Sequence, residues 1–233
     1  METLRLFPLG TVFFPGATLN MHVFEKRYRV LVRECLEQDE TFGIALVRDG
    51  GEVGDPSVEP HSIGTEARIV RCDALPEGRF LLDVHGERRF SITRVRSREP
   101  YLLAEVEYLA EPPPTAAAGE LVARARAGLP AYVDLLARMA NVELEIPELP
   151  DDPVIASYVM AQTLQTNHAA KQRLLEVSRA DERLRAELAV LQRATAALER
   201  IAAQRESADR GETASDGERR DQERLFGVYF SPN

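Results

Sequence analysis

Residues 4–32 read LRLFPLGTVFFPGATLNMHVFEKRYRVLV, and this stretch decides how the fold begins. Two apolar runs are interrupted at residues 14–16 by Phe-Pro-Gly, where proline fixes φ and glycine permits a turn. In the second run Leu19, Met21 and Val23 alternate with polar residues, a period of two that predicts a half-buried strand. The chain is therefore predicted to open with two strands connected through a tight turn.

A helix is predicted directly after the second run, in the segment that contains EKRYR at residues 25–29. Its apolar residues fall at i, i+3, i+4, i+7 and i+8, which is one face of an amphipathic helix. These residues are Tyr28, Leu31, Val32, Cys35 and Leu36. We expect all five to pack against the strands.

Further short apolar runs follow up to residue 109, and each has the length and composition of a strand. They read FGIALV, GTEARIVRC, RFLLDVHG, ERRFSITRV and YLLAEVEYL. Pro76 and Gly78 in LPEGRF predict a hairpin over residues 69–82, and His85-Gly86 predicts a bulge or a second tight turn. Six or seven short strands with a single early helix indicate an α+β chain that begins with a small mixed β-barrel.

The composition changes twice along the chain and predicts three parts. EPPPTAAAGE at residues 111–120 marks a stiff joint between a β domain over residues 1–111 and a helical bundle over residues 115–205. In the bundle, Asp152 is placed to cap a helix that begins at Pro153. A long helix follows, with one apolar stripe formed by Leu184, Leu188, Leu191 and Leu198.

The third part, residues 206–233, divides into a polar stretch and an apolar one. Residues 206–224 hold no apolar side chain larger than alanine, so we predict a disordered tether. Residues 225–230 read LFGVYF and have high β-propensity. Two interpretations stay open: a strand that adds to an exposed sheet edge of this chain or another copy, or an ordinary packing strand or frayed end.

Charge and composition exclude several classes of protein. The formal net charge is −9, which disfavours a polyanion as the main partner, because phosphate neutralisation requires clustered lysine and arginine. No apolar run approaches the roughly 18 residues of a membrane span, and the N-terminus lacks the pattern of a secretory signal. Two cysteines do not make a disulfide framework. We therefore expect a cytoplasmic protein.

No metal or cofactor site is expected from the sequence. The four histidines are scattered without the spacing of metal ligands, and both cysteines read as small buried hydrophobic residues. These residues are His22, His61, His85, His168, Cys35 and Cys72.

The opening stretch resembles the N-terminal domain of Lon proteases. That family typically reads Leu-Phe-Pro-Leu, then Phe-Pro-Gly, then a strand that ends Ile-Phe-Glu-Pro-Arg-Tyr. Similar pieces follow in the same order, namely TFGIAL, IGTEARIVRCDALPEGRFLLDVHGERRFSI, YLLAEVEYL and, in the helical part, KQRLLEV. Lys26 and Asn20 depart from the family pattern, each standing where a proline is usual. The resemblance implies a bacterial protein with a six-stranded, PUA-like barrel followed by helices.

The motifs of the other Lon modules are not found in the sequence. A phosphate-binding loop requires Gly-x-x-x-x-Gly-Lys followed by Ser or Thr, and neither Lys26 nor Lys171 is preceded by such glycines. A serine–lysine dyad requires a lysine of lowered pKa beside the serine, and Lys171 has no serine in a nucleophile turn nearby. We expect a non-catalytic chain that hydrolyses neither ATP nor peptide bonds.

The candidate protein-binding residues lie in the opening stretch and number six: Phe13, Phe14, Lys26, Arg27, Tyr28 and Arg29. One interpretation is functional, since Phe13 and Phe14 adjoin a Pro-Gly turn that leaves one of them exposed, beside an apolar groove flanked by the basic side chains.

A structural interpretation of the same segment stays open beside the functional one. In it Tyr28 is buried, Phe24 packs onto Tyr28 or the barrel wall, and Glu25 interacts favourably with the dipole of the helix. Arg27 and Arg29 then brace the barrel through carboxylates such as those of Glu66 or Glu105.

Three functions from different classes remain. The resemblance implies a substrate-recognition module or adaptor that binds unfolded or degron-bearing polypeptide and works with a protein partner such as a protease or chaperone. Fold analogy alone suggests an RNA-binding module. The third is an enzyme with an unrecognised site. The oligomeric state is left open, because the long C-terminal helix can pair with another copy as readily as pack within the chain.

Overall fold

The computed structural model describes residues 2–48 and 59–209. Contacts between residues separate the chain into two units, Met1–Pro112 and Pro113–Asn233. In its described residues the first unit contains six strands and one α-helix: β1 Glu2–Leu9, β2 Thr18–Val23, α1 Lys26–Gln38, β3 Phe42–Leu46, β4 Ile63–Leu75, β5 Arg79–Ser97 and β6 Leu102–Tyr108.

Strand pairing in the first unit closes on itself. β1 pairs in parallel with β3 and antiparallel with β6, and the antiparallel pairs β3–β4, β4–β5 and β5–β6 complete the circuit. β2 pairs antiparallel with β5 and stands outside this circuit. The predicted α+β class and mixed sheet are confirmed, with five strands in the closed circuit and the sixth attached to it.

The predicted hairpin is confirmed, because Leu75 pairs with Arg79 around a short 3₁₀ turn at Pro76–Gly78. The two runs RFLLDVHG and ERRFSITRV form one continuous strand, β5, instead of two. The bulge predicted at His85-Gly86 is confirmed and the alternative turn is wrong, since the register with β4 shifts just beyond Gly86. A long strand with a bulge can bend, and β5 thereby pairs with β2, β4 and β6.

The predicted buried face of α1 is confirmed for Tyr28, Leu31, Val32 and Cys35. Leu36 is 44% exposed, so its predicted burial is wrong. One residue corresponds to a 100° step around a helix, which carries Leu36 beyond the edge of the face that packs on the sheet.

The second unit is helical, with α2 Ala118–Ala140, α3 Pro153–Thr163, α4 His168–Glu176 and α5 Ala180–Asp209. The cap predicted for α3 is confirmed, because Asp152 accepts hydrogen bonds from the amides of Val154 and Ile155 at 2.8 and 3.1 Å. The predicted leucine stripe of α5 is buried in the core of this unit. Across the described residues, none of the helices combines the length and apolar character needed to cross a bilayer.

The tether was expected to begin at residue 206, and that boundary is wrong, because α5 continues to Asp209. The remainder of the predicted tether and the LFGVYF segment lie outside the described residues.

Candidate functional site

The expected exposed aromatic at residues 13–14 is not observed: Phe13 is 5% and Phe14 is 2% exposed. The turn that follows them is closed by a hydrogen bond from the Ala17 amide to the Phe14 carbonyl at 3.2 Å, with Gly16 at a φ of +77°. Because this turn folds onto β5 instead of projecting into solvent, both rings point inward.

Gly86 allows the turn to lie against β5. The Gly86 amide donates to the Ala17 carbonyl at 2.9 Å, and the Gly86 carbonyl accepts from the Gly16 amide at 2.8 Å. A Cβ atom at Gly86 would stand 2.4 Å from the Phe14 carbonyl oxygen, a distance that no side chain tolerates. Gly86 thus allows the backbone of the turn to approach β5 closely, and this approach buries Phe13 and Phe14.

Within EKRYR at residues 25–29, Tyr28 and Arg29 contact distant parts of the first unit, and Arg27 pairs within the segment. Tyr28 is buried as predicted, its ring stacks on Phe7 with centroids 3.8 Å apart, and burial raises its pKa to about 12. Arg27 forms an ion pair with Glu25 at 3.0 Å, and Arg29 donates to the Glu77 carbonyl.

The partners expected for Arg27 and Arg29 were therefore wrong. Glu66 pairs instead with Arg88 at 2.7 Å, and Glu105 pairs with Arg96. Lys26 is exposed at the start of α1. Of the six predicted site residues, Phe13, Phe14 and Tyr28 are thus buried and present no surface to a ligand.

Exposed apolar side chains lie instead at the end of β2 and on the outer face of β5 and β4. Phe24 is 61% exposed, so its expected packing on Tyr28 or the barrel wall is wrong, and its ring lies 5.7 Å from that of His22. Leu81 pairs with His22 in register and is 42% exposed, while an irregularity in β4 exposes Val70. We call Phe24, His22 and Leu81, which adjoin one another, the Phe24 surface.

A sequence signal for part of the Phe24 surface was present. In RFLLDVHG, Leu82 and Val84 are buried, so the period of two assigns Leu81 to the opposite face. No comparable local signal marks Val70, because its exposure depends on the shift in register between β4 and β5.

The backbone beside this surface is unpaired. Within residues 2–48 and 59–209, β2 forms strand hydrogen bonds with β5 alone, so its other edge presents free amide and carbonyl groups. Such an edge can accept an extended chain through backbone hydrogen bonds, with exposed apolar side chains contributing contacts. The arrangement is suited to binding polypeptide.

Burial shifts the pKa values of two titratable side chains that the sequence analysis considered, Cys35 and Lys171. Burial raises the pKa of the Cys35 thiol to about 11, which makes it a weak nucleophile at neutral pH. Lys171 is half-buried, its pKa is lowered by burial, and its Nζ donates to the Gln162 carbonyl at 3.2 Å. No group of three or more His, Cys, Asp or Glu side chains in the described ranges could hold a metal ion.

Comparison with known proteins identifies relatives along most of the chain. A family model described as the ATP-dependent protease La (LON) substrate-binding domain matches residues 3–193. Lon protease 2 of Myxococcus xanthus is 30% identical over 107 residues, covering 46% of this chain and 13% of that protein. Lon protease of Cytophaga hutchinsonii is 26% identical over 194 residues, covering 78% of this chain and 23% of that protein. The chain therefore spans less than a quarter of the length of these two relatives.

Solved structures agree with the match in sequence. The Lon N-terminal domain protein from Xanthomonas campestris superposes with a TM-score of 0.60 at 30% identity, covering 81% of this chain and 98% of that one. The N-terminal domain of a Mycobacterium avium complex Lon protease superposes with a TM-score of 0.62 at 21% identity, covering 82% and 98%. The second likeness shows the fold alone. With the family match over residues 3–193, we conclude that the chain belongs to the LON substrate-binding domain family.

Proposed function

We propose that this chain recognises unfolded or degron-bearing polypeptide and presents it to a partner, without processing it. The observation that carries the proposal is the free edge of β2 beside the Phe24 surface, in a chain of a substrate-binding family. An unfolded chain supplies an unpaired backbone, which can bond to the free groups of this edge, and exposed apolar side chains, which can pack on the Phe24 surface.

The six residues singled out in the sequence then have two kinds of role. Lys26 is exposed within two residues of Phe24 and offers a positive charge to the bound chain. The other five, Phe13, Phe14, Arg27, Tyr28 and Arg29, act indirectly by holding the turn and the first turn of α1 against the sheet. The partner is a protease or chaperone, in keeping with relatives that are named Lon proteases.

Fluorescence anisotropy tests the proposal with a labelled, permanently unfolded polypeptide titrated with the whole chain. We expect saturable binding that survives moderate salt, and a loss of about tenfold in affinity for a variant that carries both Phe24→Ser and Leu81→Ser. Leu36→Ser is the matched control, because Leu36 is a comparably exposed apolar residue on the outer side of α1. Circular dichroism of each variant verifies the fold.

Titration with single-stranded RNA at two salt concentrations tests the alternative function, an RNA-binding module. Saturable RNA binding that weakens steeply with salt, with no binding of polypeptide, would replace the proposal by nucleic-acid recognition. Cleavage of casein stimulated by ATP, measured with the same preparation, would overturn its non-catalytic part.

A further inference from the structure

A second exposed apolar surface lies in the helical unit, between α2 and α3. Val142, Leu144 and Ile146 are 50%, 46% and 47% exposed. They alternate with two exposed glutamates, Glu143 and Glu145. We call Val142, Leu144 and Ile146 the 142–146 strip.

The strip belongs to a connection that is anchored at both ends. At its start the Val142 amide donates to the Ala137 carbonyl at 3.1 Å. At its far end Arg126 donates to the Leu149 carbonyl at 2.7 Å and pairs with Asp151 at 2.9 Å. The three apolar side chains are therefore held on the surface of the unit by anchors on α2.

The backbone of the strip is free to pair. Among the described residues, no hydrogen bond is formed by the amides or carbonyls of residues 143–146. This segment is neither helix nor strand, and Pro147 disfavours the helical region for Ile146, which directs the chain towards an extended conformation. In an extended chain alternate side chains point to the same side, so the strip presents one apolar row beside unpaired backbone groups.

The charge of the segment is uncompensated. Neither Glu143 nor Glu145, nor Glu148 further along, forms an ion pair within residues 2–48 and 59–209. A partner with basic side chains would therefore supply the missing charge. A second copy of the strip would not, because antiparallel pairing of the segment with itself places glutamates opposite glutamates.

A cleft continues the strip at its far end. It has a volume of about 490 Å³, and its lining combines apolar residues with three charged ones, namely Leu129, Pro130, Ile146, Pro147, Leu149 and Pro150 with Arg126, Glu148 and Asp151. Ile146 belongs to both features, so a chain that follows the strip reaches the cleft with its next side chains. The apolar part of this lining can contact an apolar side chain, and Glu148 can contact a neighbouring basic one.

We infer that the 142–146 strip binds an extended polypeptide segment in which apolar and basic residues alternate, with an apolar residue anchored in the adjoining cleft. The inference rests on the proposed recognition of polypeptide and names the class of segment preferred. Backbone groups of residues 143–146 pair with the segment, the apolar row contacts its apolar residues, and Glu143 and Glu145 bind its lysines or arginines.

Anisotropy titrations of two labelled peptides with the full 233-residue chain test the inference. One peptide alternates lysine and valine, and the other alternates glutamate and valine. We expect the lysine peptide to bind about tenfold more tightly. Replacing all three strip residues with serine should lower the affinity for the lysine peptide by about tenfold or more. The double variant Glu143→Gln and Glu145→Gln should bind the two peptides equally well. Leu36→Ser serves again as the control and leaves both affinities unchanged.

The outcomes separate this inference from the proposed function. If the serine variant binds the lysine peptide as well as the unaltered chain does, while the unfolded polypeptide still binds, the strip is excluded and the proposed function stands. If the unaltered chain binds no polypeptide at all, both fail. A dimer in sedimentation velocity that the serine variant abolishes, or peptide binding that arises only after deletion of residues 210–233, would identify a different occupant and overturn the inference.

Discussion

Each unit of the molecule buries a glutamate, and the two carboxyl groups differ in their hydrogen bonding. Glu66 on β4 is 3% exposed and accepts hydrogen bonds from Thr41 at 2.6 Å, Tyr108 at 2.7 Å and Arg88 at 2.7 Å. Glu187 on α5 is 0% exposed, and neither of its carboxylate oxygens has a hydrogen-bond partner among the described residues.

The protonation of the two carboxyls follows from these surroundings. Burial acts to raise the pKa of Glu66, but the hydrogen bonds from Arg88, Thr41 and Tyr108 outweigh it and hold that pKa below 4.5. At Glu187 burial raises the pKa well above 4.5, and the charge of Arg183 offsets this only in part. Burial alone therefore does not decide whether a carboxyl is charged; the number of donors that reach it does.

The largest effect is expected from removing the satisfied carboxylate. Glu66→Ala leaves the donors on Thr41 and Tyr108 without their acceptor and should lower the free energy of unfolding by about 2–3 kcal/mol at pH 7. Because the folded pKa is lowered, the contribution of Glu66 is present above 4.5 and is lost as the pH falls through the lower folded value. The variant should therefore be less destabilised relative to the unaltered chain in acid.

Urea unfolding followed by circular dichroism at pH 7 and in acid measures this difference. Glu107→Ala is the control, since Glu107 is exposed on β6, the strand that also carries Tyr108. A variant of Glu66 that matches this control at pH 7 would show that the hydrogen-bond network contributes nothing to stability.

The opposite sign is expected for the unsatisfied carboxyl. Glu187→Leu keeps the volume of the side chain, removes two unpaired oxygens, and should raise the free energy of unfolding by about 1–2 kcal/mol at pH 7. Because the folded pKa is raised, folding loses stability as the pH rises from 4.5 towards that raised value, and the leucine variant should lack this loss.

A pH series of unfolding curves for the leucine variant and the unaltered chain tests this point. Glu199→Leu, on the exposed side of the same helix, is the control for the general effect of placing a leucine in α5. If Glu187→Leu lowers the free energy of unfolding and leaves its pH dependence unchanged, then partners in the folded protein stabilise the Glu187 carboxyl. The contrast with Glu66 would then be wrong.

The smallest effect is expected from a variant that lacks one of the three hydrogen-bond donors to Glu66. Tyr108→Phe deletes the hydroxyl but keeps the ring beneath the Arg88 guanidinium, which lies 3.3 Å from the ring centroid. Thr41 still donates to the same carboxylate oxygen, so the loss should be about 1 kcal/mol at pH 7 and smaller in acid.

Titration of the Glu66 carboxyl by NMR in the phenylalanine variant measures the accompanying rise in its pKa. An unchanged pKa would mean that Arg88 and Thr41 alone set the charge of Glu66.

Local patterns predicted those features whose causes are local. The hairpin around Pro76–Gly78, the Asp152 cap and the buried face of α1 from Tyr28 to Cys35 each depend on residues within a few positions of one another. Their physical basis is turn chemistry, capping and helical periodicity, which neighbouring residues determine among themselves.

Predictions at the candidate site were wrong where the decisive neighbour is distant in sequence. Phe13 and Phe14 were expected near the surface, but Gly86 draws their turn onto β5 from about seventy positions along the chain. The same is true of Arg29, which finds the Glu77 carbonyl instead of a carboxylate. The sequence therefore predicted an exposed aromatic side chain at residues 13–14, whereas the structure buries both of these and exposes Phe24.

The sequence by itself determined the class of the fold, the family resemblance and the positions of most helices and strands, because these depend on periodicity, turn residues and local motifs. Only the tertiary structure decided which side chains are exposed at the edge of β2 and that β2 stands outside the closed circuit. It also decided that three donors reach Glu66, while none of the described residues donates to Glu187. Each of these outcomes depends on which distant segments pair, and strand pairing and burial are settled when the whole chain folds.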